Sequence, residues 1–584
     1  MKQILRDVWQ TDKKNFLLLL ILNIGVAITS SFTIVILIPL LDLLNISAGD
    51  QQSVNILLRP FVGMSIEERA IVLVAIYVGL TLLRAALTAI AAVRQNVYME
   101  RYQLRLRKDI YDAIGTAGWE TFSSRSHSDI ISLLTVQCGK ARACLQGIVT
   151  FIASFFSALM QLMIALWMSW PLTLAIFVVG GGFLIAFRPL LKKSKEYGKQ
   201  SVTVNKELHE EIRNQLNSIK EIRAYGAEEH HEELFENINK RSFDIHFRTA
   251  QLRVVPQFCY SIGAAILIAL AFVFNIFVLK TGTAQLVILV YVFARLWPVF
   301  SSWQGQLQGI QSNLPAYETI CQCIEELSHG ARKTKTKEGI LPFEKEVTFR
   351  DVCFTYQNGD EEVLTDINFT LPCGSVTALV GRSGAGKSTT ADLLLGLLQP
   401  TSGSILIDGQ ELTQDNMGSW RKAIGYIPQE PLIINATVRE NLLRFHPDAT
   451  EEEVIAALKK SLAWPFVEKL PKGLDTVLGD KGTRLSGGER QRIVLARVLI
   501  GKPRLIILDE ATSALDYESE SFIRETIRSL RENTTVLVIA HRMATIRGAD
   551  RAIVLQNGKL VEQGTLQELL DKETGYLSDM VSVE

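Results

Sequence analysis

No pair of cysteines in this chain has the spacing of a zinc site or a redox dithiol. The seven cysteines, Cys138, Cys144, Cys259, Cys321, Cys323, Cys353 and Cys373, are scattered, and the one close pair, Cys321-x-Cys323, is too short for a CxxC motif. Buried free thiols are the reading such a distribution favours. Charge of one sign is not in excess either. Lysines and arginines number 61, aspartates and glutamates 61, and the formal net charge is zero. That balance offers no global electrostatic case for a nucleic-acid partner, and none is expected. A signal-peptide cleavage site is also lacking. The segment Met1 to Lys14 is short, polar and mildly basic, and the apolar run after it is too long for a signal core. It is expected to stay in the mature chain as a membrane span.

What the 584 residues do contain is a division into two unlike halves, with room for several domains of about 100–200 residues. A bilayer-spanning helix needs roughly 20 mostly apolar residues. Six stretches in the first half are candidates: 16–41, 70–93, 147–167, 172–187, 258–279 and 284–303. Lysine and arginine collect in the two long connections between spans two and three and between spans four and five. Arg94, Arg101, Arg105, Arg107, Lys108 and Arg125 lie in the first, and Lys192, Lys193, Lys195, Lys199 and Lys206 in the second. Positive charge marks the cytoplasmic side, so both connections and both termini are expected there, in a multi-pass protein of a bacterial inner or cell membrane.

Glu100 to Ala117 and Asn205 to Asn239 read as charged helices that carry the spans outward from the bilayer. Short polar breaks at Gly118 to Asp129 and Ser218 to Glu229 read as contact surfaces. The segment 42–69 is expected to face the opposite side. The sequence predicts a helical transmembrane domain over 1–327, with a helix continuing over Gln306 to Glu326. A linker follows over 328–341, rich in Gly, Lys and Thr, and then an α/β domain over 342–584 with a largely parallel sheet.

The centre of the second half is Gly381-Arg382-Ser383-Gly384-Ala385-Gly386-Lys387-Ser388-Thr389. It follows the apolar run Val376 to Val380 and precedes Thr390 to Leu398, so the order is strand, glycine-rich loop, helix, which is the context of a phosphate-binding P-loop. Backbone N–H groups converge there on an anion at the positive end of the helix. Lys387 is expected to reach the β- and γ-phosphates, and the Ser388 hydroxyl to join the Mg²⁺ shell. The motif implies binding of a nucleoside triphosphate.

Two further motifs belong with it. Leu505 to Leu508 reads as a buried strand ending in Asp509 and Glu510, at the sheet edge where open α/β folds bind ligands. Asp509 is expected to hold Mg²⁺ and Glu510 to act as general base toward the attacking water. Ser486, Gly487 and Gly488 open the helix Arg490 to Leu499, and small residues at a helix start make an anion site. An ordinary N-cap accounts for Ser486 alone. The whole run suggests a nucleotide gripped from two sides.

The run Leu485-Ser486-Gly487-Gly488-Glu489 with Arg490-Gln491-Arg492 resembles the signature of the ATP-binding cassette (ABC) family. The resemblance covers Glu344 to about Leu570. It implies that Tyr356 stacks on adenine and that Gln429, after Tyr426-Ile427-Pro428, senses Mg²⁺ and contacts the transmembrane part. It also implies that Ser513 to Asp516 form the D-loop, with Asp516 at the nucleotide, and that His541 meets the γ-phosphate. Glu510, His541, Lys387 and Gln429 are the catalytic set it implies, with ATP and Mg²⁺. Gly479-Asp480 departs from the commoner Gly-Glu of the X-loop but keeps the charge.

Six spans ahead of one cassette resembles an exporter half-transporter of the type IV kind. Ile219 to Glu228 and Trp119 to Asp129 then stand where the two coupling helices belong. The resemblance implies a second half-transporter as partner, an identical chain since Lys387, Gln429, Ser486, Glu510 and His541 are all intact. It also implies contact with membrane lipid and an amphiphilic substrate of the lipid, lipid-linked sugar, peptide or drug class. A soluble ABC protein acting on DNA or ribosomes is disfavoured by the six spans and by the lack of a coiled-coil insertion. An ATP-gated channel or regulator on the same fold is the alternative. No peptidase-like segment precedes the first span, so leader cleavage is not expected. Arg84 in the second span and Arg295 in the sixth suggest a substrate with negative charge, because an arginine inside a bilayer needs a partner or water; for Arg84 the alternative is that it snorkels from near the cytoplasmic end or bonds to backbone carbonyls.

Overall fold

The computed structural model describes residues 2–36, 65–168, 170–274, 283–329, 341, 343–356, 359, 361–509, 534–540, 546–572 and 575–578. Glu510, the D-loop residues 513–516 with Asp516, His541, most of the 328–341 linker and most of the 42–69 segment lie outside these residues. The chain divides into two compact units, 1–115 with 125–329, and 116–124 with 330–584.

In the first unit, α1 (Lys2–Val35) breaks at Asp12, whose backbone leaves helical geometry at φ −143° and ψ 55°. The Asp12 carboxylate accepts from the Asn15 side chain at 2.9 Å and so starts the second part of the helix. The first part buries Ile4 and Val8. Asp7, beside them on the same side of the helix, accepts from the Arg105 guanidinium at 2.6 Å through both carboxylate oxygens. This N-terminal helix goes beyond the polar lead-in read from the sequence.

Helix α2 (Ile66–Thr116) has 51 residues, about 75 Å at 1.5 Å per residue, so it extends far beyond a hydrocarbon layer of about 30 Å. Its apolar and charged halves are one continuous rod. After α3 (Trp119–Ser123) and α4 (His127–Ser132), a π-helical turn at Leu133–Gln137 leads into α5 (Cys138–Met168). Arg107 of α2 donates to the Leu134 carbonyl at 2.9 Å, which fixes that turn. Next come α6 (Trp170–Ala186), α7 (Arg188–Asn217), α8 (Ile219–Tyr225), α9 (Glu228–Phe274) and α10 (Thr283–His329). Gly226 ends α8 at φ 62°, a left-handed cap that glycine adopts without strain.

Four described helices are long and apolar enough to cross a membrane, over Lys2–Ser30, Glu67–Thr116, His127–Met163 and Glu228–Leu270. The stretch 172–187 forms most of α6, a helix of 17 residues, and 284–303 forms the first part of α10. Small residues let these helices approach closely. A Cβ on Gly198 of α7 would lie 2.3 Å from the Ser312 carbonyl oxygen of α10, and one on Gly180 would lie 2.5 Å from Phe300. An aromatic group of Phe183, Tyr260, Phe293 and Trp297 packs nearby, and the Trp297 indole donates to the Tyr260 carbonyl at 2.7 Å.

The second unit contains two sheets where the sequence led us to expect one. Strands β1 (Glu346–Phe354), β2 (Leu364–Pro372), β4 (Ser402–Ile407) and β5 (Gln410–Glu411) form an antiparallel sheet in the order β2-β1-β4-β5. Burial alternates along β1 and β2, so one face of these strands meets the core, as antiparallel sheets permit. The other sheet has six strands in the order β10-β9-β3-β8-β7-β6. Within it β3 (Val376–Val380), β6 (Ile424–Ile427), β7 (Leu505–Asp509), β8 (Thr535–Ile539) and β9 (Arg551–Gln556) pair in parallel. Only β10 (Lys559–Thr565) runs antiparallel. These central strands are buried on both faces and read as unbroken apolar runs.

Helices α11 (Lys387–Leu394) and α12 (Met417–Ala423) pack beside the sheets, and the buried Trp420 indole donates to the Leu394 carbonyl at 2.8 Å. Helices α13 (Val438–Leu443), α14 (Glu451–Lys460), α15 (Trp464–Val467) and α16 (Gly487–Ile500) form a helical layer, and α17 (Leu566–Leu570) follows β10.

Gly198→Val is expected to cost about 1–3 kcal/mol, the range for overpacking a close contact. The check is the apparent unfolding temperature of the full chain in detergent. An unchanged value would show that α7 and α10 part easily.

Candidate nucleotide site

The parallel sheet fixes the site. Register pairs Ile427 with Leu508 and Leu508 with Val538, so the carboxyl ends of β6, β7 and β8 are level. β3 joins the same edge through β8. The P-loop follows β3, Asp509 ends β7, and Gln429 stands two residues beyond β6. Residues distant in sequence therefore reach one edge because parallel strands share a direction.

The P-loop has the conformation its glycines allow. Gly384 and Gly386 stand at φ 81° and 97°, in the left-handed region. Gly381 has no room for a side chain, since a Cβ would lie 2.4 Å from the Leu555 carbonyl oxygen. Ser383, Gly384 and Ser388 are exposed, whereas Ala385, Gly386 and Thr389 are buried. Lys387, at the first turn of α11, is 5% exposed and donates to the Gly381 and Arg382 carbonyls at 2.8 and 3.1 Å. Its ammonium is thus held within the loop.

Tyr356 presents its ring edge-on to Phe354, with centroids 4.9 Å apart. Its hydroxyl pairs with the Thr389 hydroxyl at 3.2 Å. This bond ties the expected adenine platform to the end of the P-loop, and the sequence reading did not include it. At β7, Asp509 accepts from the Tyr426 hydroxyl at 3.1 Å. Burial and the Asp509 charge raise the Tyr426 phenol well above its ordinary value. Asp392, one turn along α11 from the loop, has its carboxyl pushed up to about 6, first by burial and then by the charge of Asp509.

Sequence reasoning missed both Tyr426 and Asp392. Tyr426 was legible as the one polar group on a short strand, Asp392 as an acid set among Ala391, Leu393 and Leu394.

The donors proposed for Mg²⁺ are the Ser388 hydroxyl, the Gln429 amide and the Asp509 carboxylate, all hard oxygens suited to that ion. Among the described residues no group of three or more acidic, histidine or cysteine side chains could hold a metal alone. The crowding of Asp392 and Asp509 supplies negative charge at the edge. That combination fits a cation shared with phosphate oxygens, not one caged by protein.

Ser486 caps α16 with a complete capping box. Its hydroxyl receives the Glu489 N–H at 3.3 Å, and the Glu489 carboxylate receives the Ser486 N–H at 2.8 Å. Ser486 and Gly487 are exposed and Gly488 is buried. Among the described residues no hydrogen bond joins Ser486 to the P-loop. Arg497, at the far end of α16, donates to the Asn441 and Leu432 carbonyls at 2.8 and 2.9 Å. It ties the signature helix to the segment that follows Gln429.

A carboxyl with a raised folded value stabilises the fold when protonated and loses that contribution as pH rises past about 6. Asp392→Asn removes the penalty. We expect it to stabilise the nucleotide-free and Mg²⁺-free chain at pH 7.5 by on the order of 1 kcal/mol, allowing for partial exposure. The gain should shrink toward pH 4.5 in thermal unfolding curves. An equal gain at both pH values would contradict the charge account.

Two family models match the chain, the ABC transporter transmembrane region over residues 16–299 and the ABC transporter cassette over 364–513. The heterocyst differentiation ATP-binding protein HepA of Nostoc sp. is 30% identical over 486 residues, covering 82% of this chain and 79% of that protein. The ATP-dependent lipid A-core flippase of Desulfotalea psychrophila is 32% identical over 437 residues, 74% of this chain and 75% of that one. A putative multidrug export ATP-binding/permease protein of Staphylococcus aureus is 42% identical over 247 residues, 42% of each chain. The solved structure of a bacterial Atm1-family ABC exporter with ATP bound shares the fold at a TM-score of 0.80, with 23% identity and 99% of both chains covered. With a membrane region and a cassette in one chain, the protein belongs to the ABC transporter family and is an integral-membrane, ATP-driven exporter of the half-transporter type.

Proposed function

We propose that two copies of this chain hold two ATP molecules between head-to-tail cassettes and move an anionic amphiphile outward across a bacterial inner or cell membrane. The observation that carries the reading is the division of the site. Lys387, Asp509 and Gln429 share one sheet edge, whereas Ser486 opens a different helix with no hydrogen bond to the P-loop among the described residues. A second cassette brings its Ser486, Gly487 and Gly488 to the phosphates held by the first. The basic connections place the cassettes and both termini in the cytoplasm, where ATP is.

Each residue then has a task. Tyr356 stacks on adenine, and the P-loop N–H groups with Lys387 hold the β- and γ-phosphates. Lys387 must exchange its bonds to the Gly381 and Arg382 carbonyls for phosphate oxygens, a substitution that leaves no buried cation unpaired. Ser388, Gln429 and Asp509 hold Mg²⁺, which neutralises charge on the phosphates. Glu510 takes the proton of the attacking water, His541 steadies the γ-phosphate, and Asp516 lines the site from the D-loop. Such catalysis is mainly positioning and charge neutralisation. Closing and reopening of the cassettes rocks the spans between inward- and outward-open states.

The substrate class rests on Arg84 and on the relatives. The flippase from D. psychrophila is named for a lipid substrate and the S. aureus protein for drugs. Arg84 is exposed on α2 within a stretch apolar enough to cross a membrane, with no ion pair among the described residues. The Arg295 side chain lies outside those residues. An anionic headgroup supplies the charge that Arg84 lacks.

Glu510→Gln is expected to retain ATP binding and lower hydrolysis by roughly 10²–10⁴-fold, because the amide cannot accept the proton. ATPase assays and nucleotide binding on the purified variant check this, and near-normal turnover would remove Glu510 as the base. Native mass spectrometry of the detergent-solubilised chain is expected to show a homodimer. A stable monomer with full ATPase activity would refute the two-chain site.

A further inference from the structure

Between α5, α7, α9 and α10 of the first unit lies a cavity of about 370 Å³. Lys140, His246 and Arg253 line it, together with Tyr197 and Ser201, and it has no acidic lining residue. The Lys140 ammonium is half-buried and donates to the Ser201 hydroxyl at 2.9 Å. Neither His246, Arg253 nor the Tyr197 hydroxyl has a hydrogen bond or ion pair among the described residues. We propose that this cavity is an anion site for a phosphate-bearing group, and that it seats the headgroup of an anionic phospholipid.

The half-buried Lys140 singles it out. On the same helices, cations such as Lys199 and Arg248 are exposed, and others are matched by acids. Lys195 meets Glu318 at 2.7 Å, Lys206 meets Asp129 at 2.6 Å and Arg241 meets Glu207 at 2.9 Å. The lining of the cavity itself has three basic groups and no acid. A half-buried ammonium answered only by a hydroxyl is poorly compensated, and an anion would correct that. A glycine also lines it. Gly198 lets α7 rest on the Ser312 carbonyl, with no space for a larger residue there.

Depth argues for a lipid. Lys140 precedes the apolar run starting at Gly147 by seven residues, about 10 Å along a helix. Arg253 precedes the run starting at Phe258 by five, about 8 Å. The headgroup layer on each side of the hydrocarbon is about 5–8 Å thick. The cavity therefore stands at or just beneath the headgroups, on the basic side of the membrane. Arg84 lies well inside the apolar stretch of α2, so the two sites are separate.

The test uses delipidated full-length protein in detergent, with native mass spectrometry reading the first lipid bound. Probes are dioleoyl phosphatidylglycerol, dioleoyl phosphatidylcholine and, separately, inorganic phosphate followed by thermal shift. Lys140→Gln with Arg253→Gln should weaken phosphatidylglycerol binding about ten-fold or more, with little effect on phosphatidylcholine. Lys199→Gln, on α7 but outside the cavity, should change neither. If the double variant does not fold, Arg253→Gln alone, at an exposed side chain, is read the same way, and Arg253→Lys should restore binding in part. Cavity-dependent phosphate protection without cavity-dependent lipid binding would keep the anion site but overturn the lipid as its occupant. Unchanged binding of both anionic probes would overturn the site itself, leaving the ATPase and dimer readings untouched.

Discussion

The nucleotide half of this protein depends on one electrostatic constraint, that a highly charged anion must be gripped at the edge of a sheet. The loop after β3 meets it with a left-handed Gly384 and Gly386, a Gly381 pressed against the Leu555 carbonyl, and a lysine whose ammonium is held inside the loop. The parallel strands then matter for direction more than for stability. Because β3, β6, β7 and β8 run the same way, Lys387, Gln429 and Asp509 arrive at the same edge from separate parts of the chain. Tyr426 and Asp392 crowd Asp509, and the negative charge of the two carboxyls would suit a divalent cation.

The membrane half has a different constraint. Backbone groups in hydrocarbon must be satisfied internally, so the chain crosses as helices. Here the helices do not stop at the bilayer. α2 runs 51 residues as one continuous helix, and α9 runs 47, with Pro256 interrupting its hydrogen-bond ladder where the charged half meets the apolar half. Ion pairs between helices, such as Asp7 with Arg105 and Lys195 with Glu318, bind the charged portions together. Arg125 with Glu326 and Arg142 with Glu100 do the same. The connections after α2 and α7 contain short helices, α3 and α8, and are not loose loops.

Much of this was legible in the sequence where one residue type has few roles. Glycines at fixed spacing before a lysine, an apolar strand ending in two acids, and polar breaks at Gly118 and Ser218 each point to one local geometry. The structure follows them at the P-loop, at Asp509 and at the two turns. The antiparallel sheet was less legible because half-buried strands such as β1 carry polar residues that dilute the apolar signal. The break at Asp12 was hidden because the polar lead-in is itself helical, with Ile4 and Val8 buried one turn apart. Tyr426, Thr389 and Arg497 act through neighbours distant in sequence, and no spacing rule joins them.

The central claim is that ATP hydrolysis by this chain drives an amphiphile across a bilayer. It is tested most directly in sealed proteoliposomes, by following a fluorescent anionic lipid analogue as it leaves the leaflet on the cassette side. The account predicts movement that requires hydrolysable ATP with Mg²⁺ and stops with a non-hydrolysable analogue. Movement at the same rate with that analogue, as an ATP-gated channel gives, or steady hydrolysis with no movement of any amphiphile tried, would contradict it.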